Sequence, residues 1–358
     1  MINSIRLLNF RNFKSKSLEF SNKTTVVVGA NAVGKTNILE ALYLLSTGKS
    51  FKAKIEGEML RYDQELARVS GKVGEYKLEA VVTKGENGWP KKRVMVNGIP
   101  KRVIDFAGIF KTVLFGPWDM DLVTESPSLR RKFLDSVLSQ VDREYRRAIL
   151  SYEKGLRQRN KVLWRVREDP STPYARSGRS MLAFWNQLLI KNGDYISQKR
   201  TEFIDFVNIQ EGLNEQKFEL QYDRSVISEG RLEQYKNEEI ASATTLVGPH
   251  RDDFVFLKSN TGNKGSTSNT SRELAAYGSR GEQRMGILWL KMAELNYIEQ
   301  AGPEINSGRP TLLLDDIFSE LDHPHRDVVM ELSLKQQTII TTADEHFIKK
   351  LKGDIINL

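Results

Sequence analysis

The chain of 358 residues has no cysteine, which excludes disulfides, thiolate zinc sites and cysteine nucleophiles. No stretch approaches the roughly 18 apolar residues of a membrane span, and the first residues carry no long apolar run. A membrane segment and a signal peptide are therefore not expected, and a cytoplasmic location is. Histidine is scarce, with four in all, and no Ser/His/Asp triad or glycosidase carboxylate pair can be argued from spacing. A large excess of charge of one sign is lacking too. The 54 Lys and Arg against 46 Asp and Glu leave +8, which permits an anionic partner without requiring one. What is present is ordinary for a globular protein, 39% hydrophobic and 28% charged, in a length that suits two lobes.

The pattern along the chain reads β, loop, helix at the start. SIRLLNF alternates as a strand and TTVVVGA reads as a buried one. A glycine-rich loop then leads into a helix with Ile38, Leu39, Leu42 and Leu45 at helical spacing and Gly48 as its stop. Short pieces between residues 66 and 115 read as antiparallel strands, with VNGIP as a tight turn. From Arg130 an apolar stripe runs through Val137, Val141, Tyr145, Ile149, Tyr152, Leu156 and Leu163, predicting one long helix. The loop EDPSTPYARSGRS ends it, and Met181, Trp185, Leu188, Ile196, Phe203 and Val207 predict a second. Together they suggest an antiparallel pair. KSNTGNKGSTSNTSR is the stretch expected to be disordered. TLLLDD and QTIITT read as buried strands, so the two ends of the chain should share one lobe, at 1–116 and 245–358, interrupted by a helical lobe at 117–244. No internal repeat is visible.

Gly29-Ala30-Asn31-Ala32-Val33-Gly34-Lys35-Thr36 fits G-x-x-x-x-G-K-[ST] at every fixed position, between a predicted strand and a predicted helix. The glycines let backbone wrap closely round phosphates, and N–H groups at the helix start, with Asn37 following, face the anion. Lys35 should lie against the β- and γ-phosphates and the Thr36 hydroxyl should hold Mg²⁺. This is a nucleoside triphosphate site. Asp315 and Asp316 end an apolar strand, where a carboxylate needs a cation. Asp315 is the expected Mg²⁺ residue and Asp316 the group that orients or deprotonates water. Thr341 and Thr342 end the next strand and could reach the γ-phosphate, or be ordinary strand-end threonines.

Ser279-Arg280-Gly281-Glu282-Gln283 has the S-x-G-x-Q form of the ABC ATPase signature. In the ABC ATPases this segment resembles, the signature of one copy meets the nucleotide held by another; with one phosphate loop and one signature per chain, the resemblance implies a second copy and two ATP molecules sandwiched in a two-fold dimer.

These residues, with Leu8-Asn-Phe-Arg-Asn-Phe13, Thr47-Gly-Lys-Ser-Phe51, Val113-Leu-Phe-Gly-Pro117, Arg130 to Asp135, Gly248-Pro-His-Arg-Asp-Asp253 and Leu312 to Asp322, resemble the RecF family of SMC/Rad50-like ABC ATPases over nearly the whole chain. The resemblance implies an α/β ABC-type head with an antiparallel β region and an inserted helical lobe. It implies that Ser279, Gly281 and Gln283 meet the γ-phosphate held by the other copy. It further implies an ATP-dependent clamp on duplex DNA near single-strand/double-strand junctions, acting with RecR and RecO to load RecA, with slow DNA-dependent hydrolysis tied to release. Three positions depart from the family pattern. Trp118 stands where Glu is usual in Pro-Glu-Asp, and Arg280 and Glu282 replace glutamines of the signature. An active ATPase of altered rate is expected.

A DNA clamp needs cationic surface. Residues 141–167 hold nine Lys and Arg against three acids, among them Arg143, Arg146, Arg147, Arg157 and Arg159. Lys49, Lys52 and Lys54 form a second candidate patch, and Lys91 to Arg93 a third. Each also fits a solvated face. His323 and His325 could hold a metal or simply open a helix; His250 is expected to help link the lobes. Three rivals remain: a transporter-type ABC subunit, a head of another chromosome-maintenance or defence complex, and an ATP-binding scaffold without turnover.

Overall fold

A computed structural model describes residues 1–85, 88–168, 173–259, 271–301, 309–320, 323–343 and 353–358. They divide into two compact units, Met1–Met120 with Leu290–Leu358, and Asp121–Trp289. The expected boundary at 116/117 thus lies at 120/121, and that at 244/245 lies at 289/290. The later boundary moves because Gly248 to Asp253 and the signature segment pack into the second unit. Elements are numbered in chain order.

In the first unit, β1 (Ile2–Phe10), β2 (Phe13–Glu19), β4 (Leu66–Val73), β5 (Tyr76–Thr83), β6 (Lys91–Val96) and β7 (Ile99–Lys101) form an antiparallel sheet in the order β2-β1-β4-β5-β6-β7. Asn97 and Gly98, at φ 52° and 79°, make the tight turn expected of VNGIP. A second sheet is wholly parallel, β14-β3-β13-β12-β8, from Asp354–Asn357, Thr24–Val28, Thr338–Thr342, Thr311–Asp315 and Thr112–Phe115. β8 was expected in the antiparallel series. Its run TVLF is buried at every residue, the mark of a strand covered on both faces rather than an alternating one.

Helix α1 (Lys35–Thr47) touches strands of both sheets, so it is apolar nearly all round. Ile38, Leu39, Ala41, Leu42, Leu44 and Leu45 are fully buried, and each large side chain contributes about 2 kcal/mol of transfer free energy. Gly48, at φ 70°, ends the helix as expected, its N–H donating to the Leu44 carbonyl at 2.9 Å. Short α2 (Val103–Phe106), α11 (Ile317–Glu320) and α12 (His323–Lys335) complete this unit.

The second unit opens with α3 (Asp121–Thr124), α4 (Pro127–Val141) and α5 (Arg143–Glu168). The predicted single helix is therefore two. Asp142 is extended at φ −123° and ψ 112°, and its Oδ1 accepts from the Tyr145 N–H at 2.9 Å, an N-cap that restarts the helix. Helix α6 (Pro173–Asn208) runs antiparallel to α5: Tyr195 donates to Asp142 at 2.8 Å, and Arg159 to Asn186 at 2.7 Å. The connecting loop is thus shorter than EDPSTPYARSGRS, and residues 169–172 lie outside the described residues. An unforeseen antiparallel sheet of β9 (Lys217–Asp223), β10 (Asp253–Ser259) and β11 (Ser271–Glu273) follows, with α7 (Glu229–Gln234), α8 (Lys236–Ser242) and α9 (Leu274–Tyr277). The stretch expected to be disordered falls largely at 260–270, outside the described residues. Helix α10 (Arg280–Gln300) continues from the second unit into the first.

Candidate functional site, a phosphate-binding cleft

The loop between β3 and α1 is set by its glycine and by the β1–β2 turn. Gly34 has φ 114°, and a Cβ there would lie 2.7 Å from the Asn12 amide. Asn12 Nδ2 donates to the Val33 carbonyl at 2.7 Å and Asn37 Nδ2 to Asn12 Oδ1 at 2.9 Å. Beside it, Arg11 makes two bonds to Glu40, at 2.8 and 2.6 Å, and Ser50 donates to the same carboxylate at 2.5 Å. Glu40 is fully buried in α1, where an unpaired carboxylate would be prohibitive. Arg11 and Asn12 were not singled out as site residues. The readable signal was the lone acid inside an apolar helix, which demands a cation.

A cleft of about 510 Å³ opens over the loop. Asn31, Ala32, Gly34, Lys35, Thr36 and Asn37 line it, and Asp315 and Asp316 reach it from the end of β12. Lys35 Nζ donates to the Gly29 and Ala30 carbonyls at 2.7 and 3.0 Å, which centres the ammonium on the loop. Gly29, Ala30 and Val33 contribute carbonyls to these contacts and do not line the cleft. Thr36 Oγ1 donates to Asp315 Oδ2 at 2.8 Å, and Thr341 Oγ1 to Asp315 Oδ1 at 2.5 Å. The two expected Mg²⁺ ligands thus converge, and an all-oxygen pair suits that hard cation. Asp316 has φ 48°, with its N–H donating to the Thr341 carbonyl at 3.0 Å. Thr342 is 1% exposed and is not among the residues lining the cleft, while Thr341 engages the site through Asp315.

Three further residues complete the wall. Lys52, assigned from sequence to DNA, lines the cleft with its Nζ 3.2 Å from Asn37 Oδ1. Pro117 and Trp118 close another side, and the indole stacks on Phe51 with centroids 4.9 Å apart and planes at 25°. Asp119 turns inward: it accepts the Gly116 N–H at 2.8 Å and pairs with buried Lys291 at 3.1 Å. Lys291 also pairs with Glu294 at 3.1 Å. Burial pushes the Glu294 carboxyl up to about 7, against the pull of Lys291.

In the second unit the signature segment starts α10 with a reciprocal cap. Ser279 N–H and Oγ meet Glu282 Oε2 at 2.8 and 3.0 Å, and the Glu282 N–H donates back to Ser279 Oγ at 3.3 Å. Glu282 is also hydrogen-bonded to Lys258, which, with the Ser279 N–H, holds its carboxyl down to about 2. Its charge is therefore compensated locally rather than presented outward. Ser279, Arg280 and Gly281 are exposed. Gln283 is not: it is 8% exposed, and its amide donates to the Leu274 and Gly278 carbonyls at 3.1 and 3.3 Å. It shapes the segment that presents Ser279 and is not itself at the surface.

Two largely buried ionic networks account for the Arg130 to Asp135 and Gly248 to Asp253 motifs of this unit. Arg130 holds Asp253 by two bonds, at 2.6 and 2.9 Å, and Arg200 binds Asp252 at 2.8 Å and Asp135 at 2.9 Å. His250 lies between the Tyr152 hydroxyl at 2.8 Å and the Thr245 carbonyl at 3.0 Å. All these partners belong to the second unit, and the Tyr152 contact joins the stretch read from sequence as the helical lobe, 117–244, to the segment that begins at 245. Of the candidate DNA residues, Arg159 is 3% exposed and bound to Glu239 at 2.6 Å and Thr245 at 2.8 Å, which removes it from any surface. Arg146 donates to the Ser139 carbonyl at 2.5 Å and Arg147 pairs with Glu144 at 2.7 Å. Arg157 and Lys54 are exposed, and Arg143 is half-buried. Leu321 and Asp322, and the side chains of Ser319, Glu320, His323 and His325, lie outside the described residues. Among the described residues there is no cluster of metal-ligating side chains and no helix long and apolar enough to cross a membrane.

The family model for the RecF/RecN/SMC N-terminal domain matches residues 1–356. The DNA replication and repair protein RecF of Lachnoclostridium phytofermentans is 34% identical over 97% of this chain and 94% of its own. That of Agathobacter rectalis is 33% identical over 98% and 94%. A solved structure of the recombination mediator protein RecF with ATP, in the RecFOR pathway, superposes with a TM-score of 0.84 at 29% identity, covering 99% of this chain and 95% of that one. With the phosphate loop, the strand-end aspartates and the signature segment in one α/β ABC-type head, the chain belongs to the RecF family of DNA replication and repair proteins.

Proposed function

We propose that the protein is an ATP-dependent, dimerising DNA clamp of recombinational gap repair, binding duplex DNA near single-strand/double-strand junctions and acting with RecR and RecO to load RecA. The observation that carries this reading is the meeting of Thr36 and Asp315 at 2.8 Å beside Lys35 and Asp316, in a chain with one phosphate loop and one signature. The ATP complex solved for a RecF relative supports ATP as the nucleotide.

In this reading Lys35 and the N–H groups opening α1 bind the phosphate oxygens. Thr36 and Asp315 hold Mg²⁺, which when bound neutralises charge on the β- and γ-phosphates. Asp316 orients the attacking water and accepts its proton. The water oxygen bonds to the γ-phosphorus as the bond to the bridging oxygen breaks, leaving ADP and inorganic phosphate. Ser279 and Gly281, exposed on the second unit, supply the γ-phosphate contacts of the other copy. Exposed Arg157 and Lys54 are among the cations that would meet DNA phosphate in this reading.

Lys35→Ala should abolish ATP binding measured by equilibrium dialysis. Asp316→Asn should keep binding and prolong the ATP-induced dimer seen by light scattering; an ATP-loaded variant that stays monomeric contradicts this role. An ATP-binding scaffold without turnover is the second reading, favoured by the indole on the cleft wall.

A further inference from the structure

Trp118 occupies a place where chemistry would favour a polar group. Its indole lines the same cleft as Lys35, Thr36, Asp315 and Asp316. It offers one N–H donor and no acceptor, so it can neither take a proton from water nor hold one through a lone pair. Asp315 is engaged by both Thr36 and Thr341, which leaves the handling of water to Asp316.

The indole is also held in place. Phe51 stacks on one face at 4.9 Å. The ring folds over Gly116, where an added Cβ would lie 2.5 Å from it. The next residue, Asp119, is fastened by the Gly116 N–H at 2.8 Å and by Lys291 at 3.1 Å. A ring with these restraints is a fixed wall rather than a side chain that swings clear.

We propose that Trp118 is a positioning residue for hydrolysis: an apolar wall of the cleft that the two aspartates also line, which limits ordered water at the γ-phosphate and so keeps turnover slow without weakening nucleotide binding. This rests on reading the cleft as an ATP site. A polar side chain in its place would give the attacking water a second partner.

The test uses the full chain, at a protein concentration where the rate per chain no longer rises. Trp118→Gln should raise kcat by about threefold or more, with KM for ATP within about twofold of native. Trp118→Phe keeps a ring on Phe51 and should bring the rate back toward native. Gly116→Ala, which displaces the indole, should shift kcat in the same direction as Trp118→Gln. As a readout separate from turnover, ATP should change the tryptophan emission of the native protein, and Trp118→Phe should lose that change, because Trp118 is the tryptophan on the cleft wall. A native protein that hydrolyses ATP while folded Trp118→Gln and Gly116→Ala are no faster overturns the wall and leaves the ATP site standing. A native protein with neither turnover nor an emission response to ATP overturns both.

Discussion

Arg159 sits in the most basic stretch of the chain, yet its guanidinium is 3% exposed and answers Glu239, which is fully buried. Removing one partner of such a pair strands the other charge, so Arg159→Ala should cost about 3–5 kcal/mol of stability by urea unfolding. Exposed Arg157→Ala should instead spare stability and lower the salt dependence of DNA affinity. An Arg159→Ala variant that unfolds like the native chain would contradict a buried Arg159–Glu239 pair. His250 makes the complementary point. Burial holds its ring down to about 4, against an ordinary 6.5, so the folded protein keeps it neutral between Tyr152 and Thr245, near Arg131, Arg251 and Asp252. Its folded pKa is depressed; its contribution is complete above 6.5 and is lost as pH falls through 4. That loss amounts to about 3 kcal/mol. The melting temperature should fall from pH 7 to 4.5 more steeply for the native protein than for His250→Gln, and parallel slopes would contradict this assignment.

At the scale of elements, periodicity gave the phosphate-loop helix and its strand almost residue for residue, because β3 and α1 are sealed on all sides and their sequences say so. Periodicity misread the α4–α5 stretch for an equally physical reason. The apolar stripe runs unbroken across Asp142, and only the capping side chain reveals the restart. Asp142→Ala removes the Tyr145 cap and the Tyr195 contact together, and should cost about 1–2 kcal/mol in thermal unfolding. A neutral substitution would mean that the helices continue through that position. The β9–β10 pair went unread because Lys217–Asp223 and Asp253–Ser259 are separated by two short helices, and their pairing is long-range. In the cleft itself, the loop, Asp315 and Asp316 were legible as motifs. Thr341 was legible as a strand-end hydroxyl, but its bond to Asp315 was not, and Lys52 and Trp118 became cleft residues only when the fold brought separate segments to one wall.

For the whole molecule, two boundaries shift the meaning of the sequence. The signature segment and Gly248 to Asp253 belong to the second unit, while the phosphate loop and both strand-end aspartates belong to the first. One helix, α10, begins with the capped signature and carries Lys291 and Glu294 into the first unit. In the proposed reading each chain holds half of two reacting surfaces, so turnover should require a second copy. The most direct test is the steady-state ATPase rate per chain against protein concentration, without DNA and with continuous or gapped duplex at fixed salt. The rate per chain should rise with protein concentration toward a plateau and rise further with DNA. A rate proportional to protein at every concentration and indifferent to DNA would contradict the dimerising clamp.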